Sequence, residues 1–397
     1  MPNTRLKSAR LAAGYHSQQA LADALQVGVR QVRRWESDQP PVPHPDVAQS
    51  LTRLLGQDLS SLGFATDGSV PARRTALAAV GLAAVPTQSV GVQPATAADD
   101  YEAVTRSHRR LYWSVAPATL HPAAIAHATL GCALLPEAAG QTRQRIAAAL
   151  AETYLLAGRI EFFDMREPDR AQQTLLRALQ GAGEADDPLL GAGVLAHMAF
   201  IPAWDGDRDA AVERMVAART YARRGPASAE LLAWLDAVEA ECETRCGNTR
   251  TALHLIGHAE DVLADHTEHA SPAWLDWFSP VRLAAFKGNT QLRAGHLPQA
   301  RETLLGVLDA LDPAEEKQST VVLGDLAAVE AAAGEPDAAC QYALRALDQL
   351  ERTWYAMGMD RVREVRRALA PHQHEACVRE LDDRLYGWAT TVSALAR

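Results

Sequence analysis

The sequence has little of what marks secreted or membrane-spanning proteins. Its five cysteines are widely spaced along 397 residues, an odd and scattered set that does not predict a disulfide framework. The most hydrophobic run covers residues 75–85, whereas a membrane-spanning helix needs about 20 residues. Met1 is followed by polar sequence without an apolar secretory core, so we expect a cytoplasmic protein.

Residues 65–100 contain one export-like feature. Arg73 and Arg74 precede an apolar stretch and resemble a twin-arginine signal, but such signals act at the N-terminus and this pair follows a complete predicted domain. The segment is rich in proline, glycine, serine and threonine. We therefore interpret it as a linker that contains a short alanine-rich helix.

Aromatic residues are also few, at 6% of the chain, while apolar residues reach 48% and are dominated by alanine and leucine. This balance favours helix over strand and predicts an all-α protein with a packed core. The sequence shows no nucleophile elbow, phosphate-binding glycine loop, dinucleotide fingerprint or zinc-protease motif. We expect no enzyme activity and no cofactor.

Charge is distributed unevenly between the two ends of the chain. Residues 1–37 carry six basic and two acidic side chains and so a net charge of +4, while the other 360 residues carry 33 basic and 47 acidic side chains, a net charge of −14. A basic head on an acidic body indicates a small DNA reader attached to a region that does not touch DNA.

The first 64 residues carry the helix-start and helix-stop signals of a small helical domain. We predict helices over 6–13, 18–25, 29–37 and 46–55, with a further one over 58–62. Gly14 ends the first helix, Ser17 caps the second and Asp46 caps the fourth. Between the third and fourth helices, three prolines within residues 40–43 enforce a loop.

Residues 17–36 have the pattern of two helices that cross closely around a tight turn. Ala22 is small at the crossing, Leu21 and Leu25 point to one core, and the apolar face of the following helix comes from Val27, Val32 and Trp35. Together with Glu36 after the tryptophan, this segment resembles the helix-turn-helix of the XRE, or Cro/repressor-like, family. It departs from that family at Gln26, where glycine is usual, and at Gly28, where a serine or threonine cap is usual.

The opposite face of the third helix is the predicted DNA-reading surface. Arg30, Arg33 and Arg34 lie at i, i+3 and i+4 and project together. An arginine can hold guanine with two hydrogen bonds, and a valine can press on a thymine methyl group. The resemblance implies in addition that Gln18 holds a backbone phosphate. The predicted DNA contacts are Gln18, Gly28, Val29, Arg30, Gln31, Arg33 and Arg34.

From residue 101 to residue 397 the sequence is a recurrence of amphipathic helices. Glycine-centred turns are predicted at Gly158, Gly206, Gly247, Gly295 and Gly334, at intervals of 48, 41, 48 and 39 residues. Such a recurrence indicates a helical solenoid. Residues 333–347 and 294–304 resemble tetratricopeptide repeats. Because the intervals exceed the usual 34 or so residues, we expect degenerate repeats.

Two sets of side chains in this region are candidates for a functional site, one for a metal ion and one for a ligand. Cys242, Cys246, His254 and His258 form two i, i+4 pairs on neighbouring helices that could in principle reach a zinc ion. Their spacing matches no strong zinc pattern and Cys246 faces the turn, so we expect no metal. Four tryptophans of this region could line a ligand groove, although core packing is our interpretation for most of them: Trp204, Trp234, Trp274 and Trp277.

Asn289 is one of only three asparagines. In peptide-sensing regulators with similar repeats, asparagines in the groove hold a peptide backbone, so the resemblance makes Asn289 a candidate ligand-binding residue.

The sequence therefore predicts three parts: a helix-turn-helix domain over 1–64, a linker over 65–100 and a tetratricopeptide-like solenoid over 101–397. The resemblance implies a homodimeric, sequence-specific transcription regulator that binds double-stranded DNA and senses a peptide, small molecule or protein. The alternative is an interaction scaffold or antagonist, in which the solenoid binds another protein and the DNA-binding head is secondary.

Overall fold

The computed structural model describes residues 3–25, 27–37, 40, 43, 45–55, 57, 59, 61–64, 93–265 and 269–395. The chain divides into two compact units, Met1–Thr87 and Gln88–Arg397. The described residues form helices and no β-strand, which confirms the all-α prediction. The predicted linker helix and the arginine pair at 73–74 lie outside the described residues, and the helix predicted over 58–62 is described only in part.

The described part of the first unit contains four helices. They are α1 (Thr4–Ala12), α2 (Gln18–Ala24), α3 (Val29–Trp35) and α4 (Pro45–Leu55). Beyond α1, Gly14 has a φ of 86°, a left-handed conformation that glycine adopts without strain. The Ser17 hydroxyl accepts a hydrogen bond from the Ala20 amide at 3.0 Å, as expected of a cap on α2.

The core of this unit contains the predicted helix-turn-helix residues together with residues from α1, α4 and the segment after α4. Leu21, Ala22, Leu25, Val32 and Trp35 are all buried, whereas Val27 is only partly buried against them. The other buried members of the cluster are Leu6, Ala9, Leu51, Leu55, Leu62 and Phe64.

Two details at the helix starts differ from the prediction. Helix α4 begins at Pro45, so Asp46 lies inside its first turn and is not the residue before the helix. Helix α1 begins two residues early because the Asn3 side chain accepts a hydrogen bond from the Leu6 amide. The same side chain donates to the carbonyl oxygens of Trp35 and Leu62 at 3.1 and 2.9 Å, which ties the start of α1 to the rest of the unit.

In the described part of the second unit there are fourteen helices. The helix that contains Tyr101 already begins at Ala95, within the predicted linker. The helices are α5 (Ala95–Leu111), α6 (Pro117–Leu134), α7 (Gly140–Arg159), α8 (Pro168–Glu184), α9 (Pro188–Trp204), α10 (Arg208–Ala222), α11 (Ala229–Arg245), α12 (Thr249–Ala264), α13 (Pro280–Arg293), α14 (Leu297–Ala310), α15 (Glu316–Ala333), α16 (Pro336–Arg352), α17 (Ala356–Ala368) and α18 (Ala376–Leu395).

These helices stack as hairpins with an inner and an outer row. Each of α7, α9, α11, α13 and α15 packs on the helix that follows it, and also on the next odd-numbered helix, so that the odd-numbered helices up to α17 form one continuous row. The inner helix α9 buries thirteen of its seventeen residues, while the outer helix α10 buries four of fifteen. The array therefore presents the row of odd-numbered helices to its interior and an amphipathic row to solvent.

Four of the five predicted glycine turns are confirmed. Gly206, Gly247, Gly295 and Gly334 all have φ between 78° and 83° and join the two helices of a hairpin. The prediction at Gly158 is wrong, because this residue lies inside α7. A Cβ atom there would lie 2.8 Å from the Leu175 side chain, so this glycine allows α7 and α8 to approach closely. The helical path continues through a π-helical turn at Ile160–Asp164 before the chain reverses.

Among the described residues, one segment is long and apolar enough to cross a membrane: the 21 residues Pro117–Glu137, which include α6. Buried helices of soluble proteins pass the same test, so length and composition are weak evidence of a span. Polar contacts tie this segment to its neighbours. His121 bonds through Nε2 to Glu161 Oε1 at 2.9 Å, and the Tyr101 hydroxyl donates to the His127 carbonyl oxygen at 3.0 Å.

Candidate nucleic-acid interface and candidate ligand cavity

Helix α3 separates a buried face from a basic one. Val32 and Trp35 are at most 1% exposed, and the Trp35 ring meets Phe64 edge-on with 6.3 Å between the ring centroids. Arg30, Arg33 and Arg34 are exposed, as is Gln31. The tryptophan thus fixes the roll of the helix, and the three guanidinium groups are presented to solvent as a group.

The start of α3 is built differently from the start of α2. Gly28 caps α3 in an extended conformation with φ of −72°, and no side chain caps the helix there. It is exposed, and a Cβ atom added to it would meet nothing within 4 Å. Val29 is partly buried and packs against the core of the unit, so only part of its side chain is available to a thymine methyl group.

A buried ion pair that sequence reasoning missed holds α1, α2 and α3 together. Arg10 Nε donates to Glu36 Oε1 at 2.7 Å, and Arg10 Nη1 donates to the Tyr15 carbonyl oxygen at 2.7 Å. The other Glu36 oxygen accepts from Gln18 Nε2 at 2.6 Å. One amide hydrogen of Gln18 is thus committed to Glu36, and the second is left for the predicted phosphate contact. Of the basic residues in the head, Arg10 is therefore structural.

The second unit encloses a cavity along its inner row of helices. The space inside it that is free for a bound molecule measures about 120 Å³. About half of the lining side chains are aromatic, and five charged side chains and two amides also contribute. The lining includes Tyr112, Trp113, Arg159, His197, Trp277, Arg282, Asn289, Asp325 and Arg361.

Three of the four tryptophans singled out in the sequence line this cavity. Trp204, Trp234 and Trp277 do so, whereas Trp274 packs in the core and is 6% exposed. Core packing, our interpretation for most of the four, also applies: Trp234 and Trp274 are buried members of the main core cluster, and Trp204 and Trp277 pack against it. The signal that could have been used is position: each of the three belongs to the inner row or to the segment that leads into it.

Arginines lie on tryptophan and tyrosine rings at one part of the cavity. The Arg159 guanidinium carbon lies 4.6 Å from the Tyr112 ring centroid and 5.0 Å from that of Trp277. Arg282 lies 3.8 Å from the Trp113 centroid and donates to Glu315 and to Gln318 Oε1. At such distances the ring quadrupole attracts the cation, most strongly where water is excluded.

Asn289 lies in this cavity and is 3% exposed. Its Nδ2 donates to Asp325 Oδ1 at 3.0 Å, and Arg361 Nε lies 3.2 Å from the same carboxylate oxygen. Burial raises the pKa of Asp325, an effect that the Arg361 charge opposes. The Asn289 Oδ1 atom is buried without a hydrogen-bond partner among the described residues, so it can accept from a bound molecule.

His197 contributes a neutral imidazole to the wall. Its pKa is lowered to about 3, mainly by burial and further by the Arg159 charge. Its Nδ1 lies 2.8 Å from the Gly193 carbonyl oxygen, which can only accept, so Nδ1 carries the proton. In this tautomer Nε2 is a hydrogen-bond acceptor.

The four cysteine and histidine residues proposed as zinc candidates do not gather their ligand atoms at one point among the described residues. Cys242 and Cys246 lie at the end of α11, where burial raises the pKa of both thiols. His258 Nδ1 instead bonds to Asp236 Oδ2 at 2.7 Å. A different group does converge, with the ligand atoms of Asp337, Glu375 and Cys377 all within 4.8 Å of one another.

Comparison with known families bears on the first unit. Residues 6–62 match a family model described as Helix-turn-helix, and this match covers α1 to α4. None of the curated proteins compared with the chain matches it. The chain therefore carries an XRE-type helix-turn-helix domain, which supports a DNA-binding regulator of transcription.

Proposed function

We propose that the protein is a cytoplasmic, sequence-specific regulator of transcription that binds double-stranded DNA as a homodimer. The observation that carries this proposal is the exposed triad of Arg30, Arg33 and Arg34 on the face of α3 opposite Trp35. A helix of this kind docks in the major groove and reads base edges with the side chains on its outer face.

The second unit is the proposed sensor and dimerisation region. Its hairpins, with one helix of each in a continuous inner row, support a degenerate tetratricopeptide-like array. Its aromatic cavity supports binding of an effector without chemical conversion, because the sequence offers no catalytic motif. An effector changes DNA binding only if its affinity differs between the DNA-competent and DNA-incompetent states.

The DNA-reading role is tested with single alanine variants against a site selected from random DNA by the full-length protein. Arg30→Ala and Arg34→Ala should each cost about 1–3 kcal/mol and relax the preference at one base position. Arg5→Ala is the matched control, because Arg5 is exposed on α1 and lies outside the reading helix. Unchanged affinity and preference in both α3 variants would reject the assignment.

The homodimer is proposed because a single helix-turn-helix reads only a few base pairs and two of them double the site. Light scattering on the full-length protein at micromolar concentration should give twice the mass of one chain for the free protein, and that mass plus the mass of the DNA for the complex with the selected DNA. A monomer in both conditions would contradict this part of the proposal.

The sensing role is tested by filling the cavity. Val321 lines it, so Val321→Trp should abolish the change in target-gene expression that the natural signal produces, while DNA affinity is kept. Val216→Trp is the control, because Val216 is 59% exposed on the outer helix α10. A Val321→Trp protein that responds like the wild type would show that the cavity is not the sensor.

A further inference from the structure

The cavity of the second unit holds a buried cation that the protein itself leaves without a counter-charge. Arg159 is 8% exposed, and its Nε atom is buried without a hydrogen-bond partner. Its guanidinium makes no hydrogen bond or ion pair with any residue that the structure describes. The other two arginines of the cavity differ in this respect, since Arg282 pairs with Glu315 and Arg361 pairs with Asp325.

The buried ion pair of Asp164 and Lys317 is affected by the Arg159 charge but does not neutralise it. Asp164 Oδ1 and Lys317 Nζ form an ion pair at 2.5 Å, and both side chains are fully buried. This pair is neutral overall whichever partner holds the proton, so one positive charge is left over at Arg159. A buried charge without an opposite partner is costly, and the rings of Tyr112, Trp113 and Trp277 compensate it only in part.

The surroundings restrict what can supply the missing negative charge. Arg282 lies on the same Trp113 and Trp277 rings as Arg159, but its charge is already paired with Glu315. Other members of the cavity wall are aromatic, such as Phe163, Phe200 and Trp234. His197, in its neutral tautomer, offers only an acceptor at Nε2. A single excess positive charge matches a monoanion, and the planar guanidinium fork matches the two oxygens of a carboxylate. A phosphate dianion would bring a second charge into an apolar space.

We propose that this cavity binds a compact apolar carboxylate, with the carboxylate paired to Arg159 and the apolar body among the tryptophan and phenylalanine rings. The inference rests on the proposed sensing function and names the chemical class of its effector. Asn289 lines the same cavity, and its partnerless Oδ1 can accept a hydrogen bond from a donor group on such a molecule, which would add selectivity among acids.

Calorimetry on the full-length protein tests the anion preference without any substitution. The probes are 1-naphthoate and its neutral isostere 1-naphthamide, with decanoate as a second acid. We expect 1-naphthoate to bind at least about tenfold more tightly than 1-naphthamide, since a charge-assisted pair adds to the same ring contacts. Equal affinity for the two, or no binding of either acid at about millimolar concentration, would overturn the proposal.

Substitutions then assign the preference to Arg159. Arg159→Met keeps the length of the side chain and removes its charge, and it should bring the two naphthyl probes to within about twofold of each other. Arg224→Met is the matched control, because Arg224 also stacks on a ring, with 5.0 Å to the Tyr221 centroid, but it is exposed and outside the cavity. An Arg159→Met protein that still prefers the acid would refute the assignment.

A peptide C-terminus and a free acid share this chemistry, and the same assay separates them. N-acetyl-Leu-Phe is compared with its C-terminal amide. A preference for the acid form larger than that seen with 1-naphthoate assigns the site to a peptide end, and a smaller preference assigns it to a small acid.

Anisotropy of labelled operator DNA gives an independent readout of the sensing function. Binding of 1-naphthoate without any change in DNA affinity contradicts the sensing function and keeps the carboxylate site. A response to some other effector, with no acid bound, contradicts the carboxylate site and keeps the sensing function.

Discussion

The candidate site of each unit contains three arginines, and the two sets have opposite surroundings. Arg30, Arg33 and Arg34 are exposed on a short helix whose other face is the core of a small domain. Those of the second unit are Arg159, Arg282 and Arg361; each is at most 8% exposed, and the first two lie on aromatic rings. The arginine guanidinium groups are therefore solvated in the first unit and lie in a low-dielectric cavity in the second.

This difference determines what each set can recognise. Exposed guanidinium groups attract any polyanion over a Debye length of about 8–10 Å, and selectivity has to come from base edges. Salt screens a buried guanidinium little, and such a group pairs only with an anion that gives up its hydration shell. The shape of the cavity therefore determines which anions can bind. The comparison predicts that the two regions respond differently to substitution, salt and pH.

The largest effect is expected from removing the side chain that orients α3. Trp35→Ala should destabilise the first unit by about 3–5 kcal/mol, as large aromatic deletions in cores do, and should abolish DNA binding. The thermal transition of the second unit should stay in place. Leu11→Ala is the control, because Leu11 is 42% exposed and should cost little. An equal shift of both transitions would show that the two units do not unfold separately.

The next largest effect is expected from salt, which should weaken binding at the exposed arginines far more than binding at the buried ones. For the proposed homodimer with about six phosphate contacts, raising the salt from about 0.1 to 0.3 M should weaken DNA binding by about 2.5 orders of magnitude. The same change should weaken 1-naphthoate binding by less than about threefold, because a buried pair is screened little. Anisotropy and calorimetry over the same salt series measure the two slopes. Parallel slopes would mean that Arg159 is not shielded as described.

The exposed set was predictable from sequence, and the buried set was not. Helical periodicity places Arg30, Arg33 and Arg34 opposite Val32 and Trp35, and local sequence is sufficient for that inference. Arg159 was taken as part of a glycine turn, because its neighbour Gly158 looks the same in sequence whether it ends a helix or allows two helices to approach. The rings that surround Arg159 come from residues 112, 113 and 277, and nothing in the local pattern brings them together.

Acid should weaken the second unit through His197. Its folded pKa of about 3 lies below the usual 6.5, so the neutral form stabilises the fold above pH 6.5 and this contribution is lost as the pH falls toward 3. Between pH 7 and pH 5 the loss amounts to at most about 2 kcal/mol.

A His197→Gln variant should therefore lose less unfolding free energy between these two pH values than the wild type does, as measured by denaturant titration. His374→Gln is the control, because His374 is exposed. Identical pH profiles of the wild type and His197→Gln would contradict the neutral buried imidazole.

The smallest effect is expected at the cap of α3. Gly28 has an extended conformation and open space around it, so Gly28→Ser should add a cap and stabilise the first unit by a few tenths of a kcal/mol. Gly14→Ser should act in the opposite direction, because the φ of 86° at Gly14 disfavours a side chain. Thermal melts of the two variants measure the signs. Stabilisation by both, or by neither, would mean that backbone conformation does not decide the outcome at these turns.

Other features of the fold were predicted correctly where they depend on a few neighbouring residues in the sequence. Gly206, Gly247, Gly295 and Gly334 mark hairpin turns because a left-handed backbone favours glycine, and the structure confirms them. The ion pair of Arg10 with Glu36 escaped prediction because its partners are 26 residues apart and each alone reads as a surface charge. Asn289 was singled out by a family resemblance, which gave its place in the cavity but not its Asp325 partner.

The division of labour between the two sets of arginines is tested most directly by one DNA titration. The full-length wild type, Arg34→Ala and Arg159→Met are titrated without effector against the same selected operator, with anisotropy as the readout. Arg34→Ala should weaken DNA binding by about 1–3 kcal/mol, and Arg159→Met should leave it unchanged. An Arg159→Met protein that binds DNA as poorly as Arg34→Ala, or an Arg34→Ala protein that binds like the wild type, would contradict this division of labour.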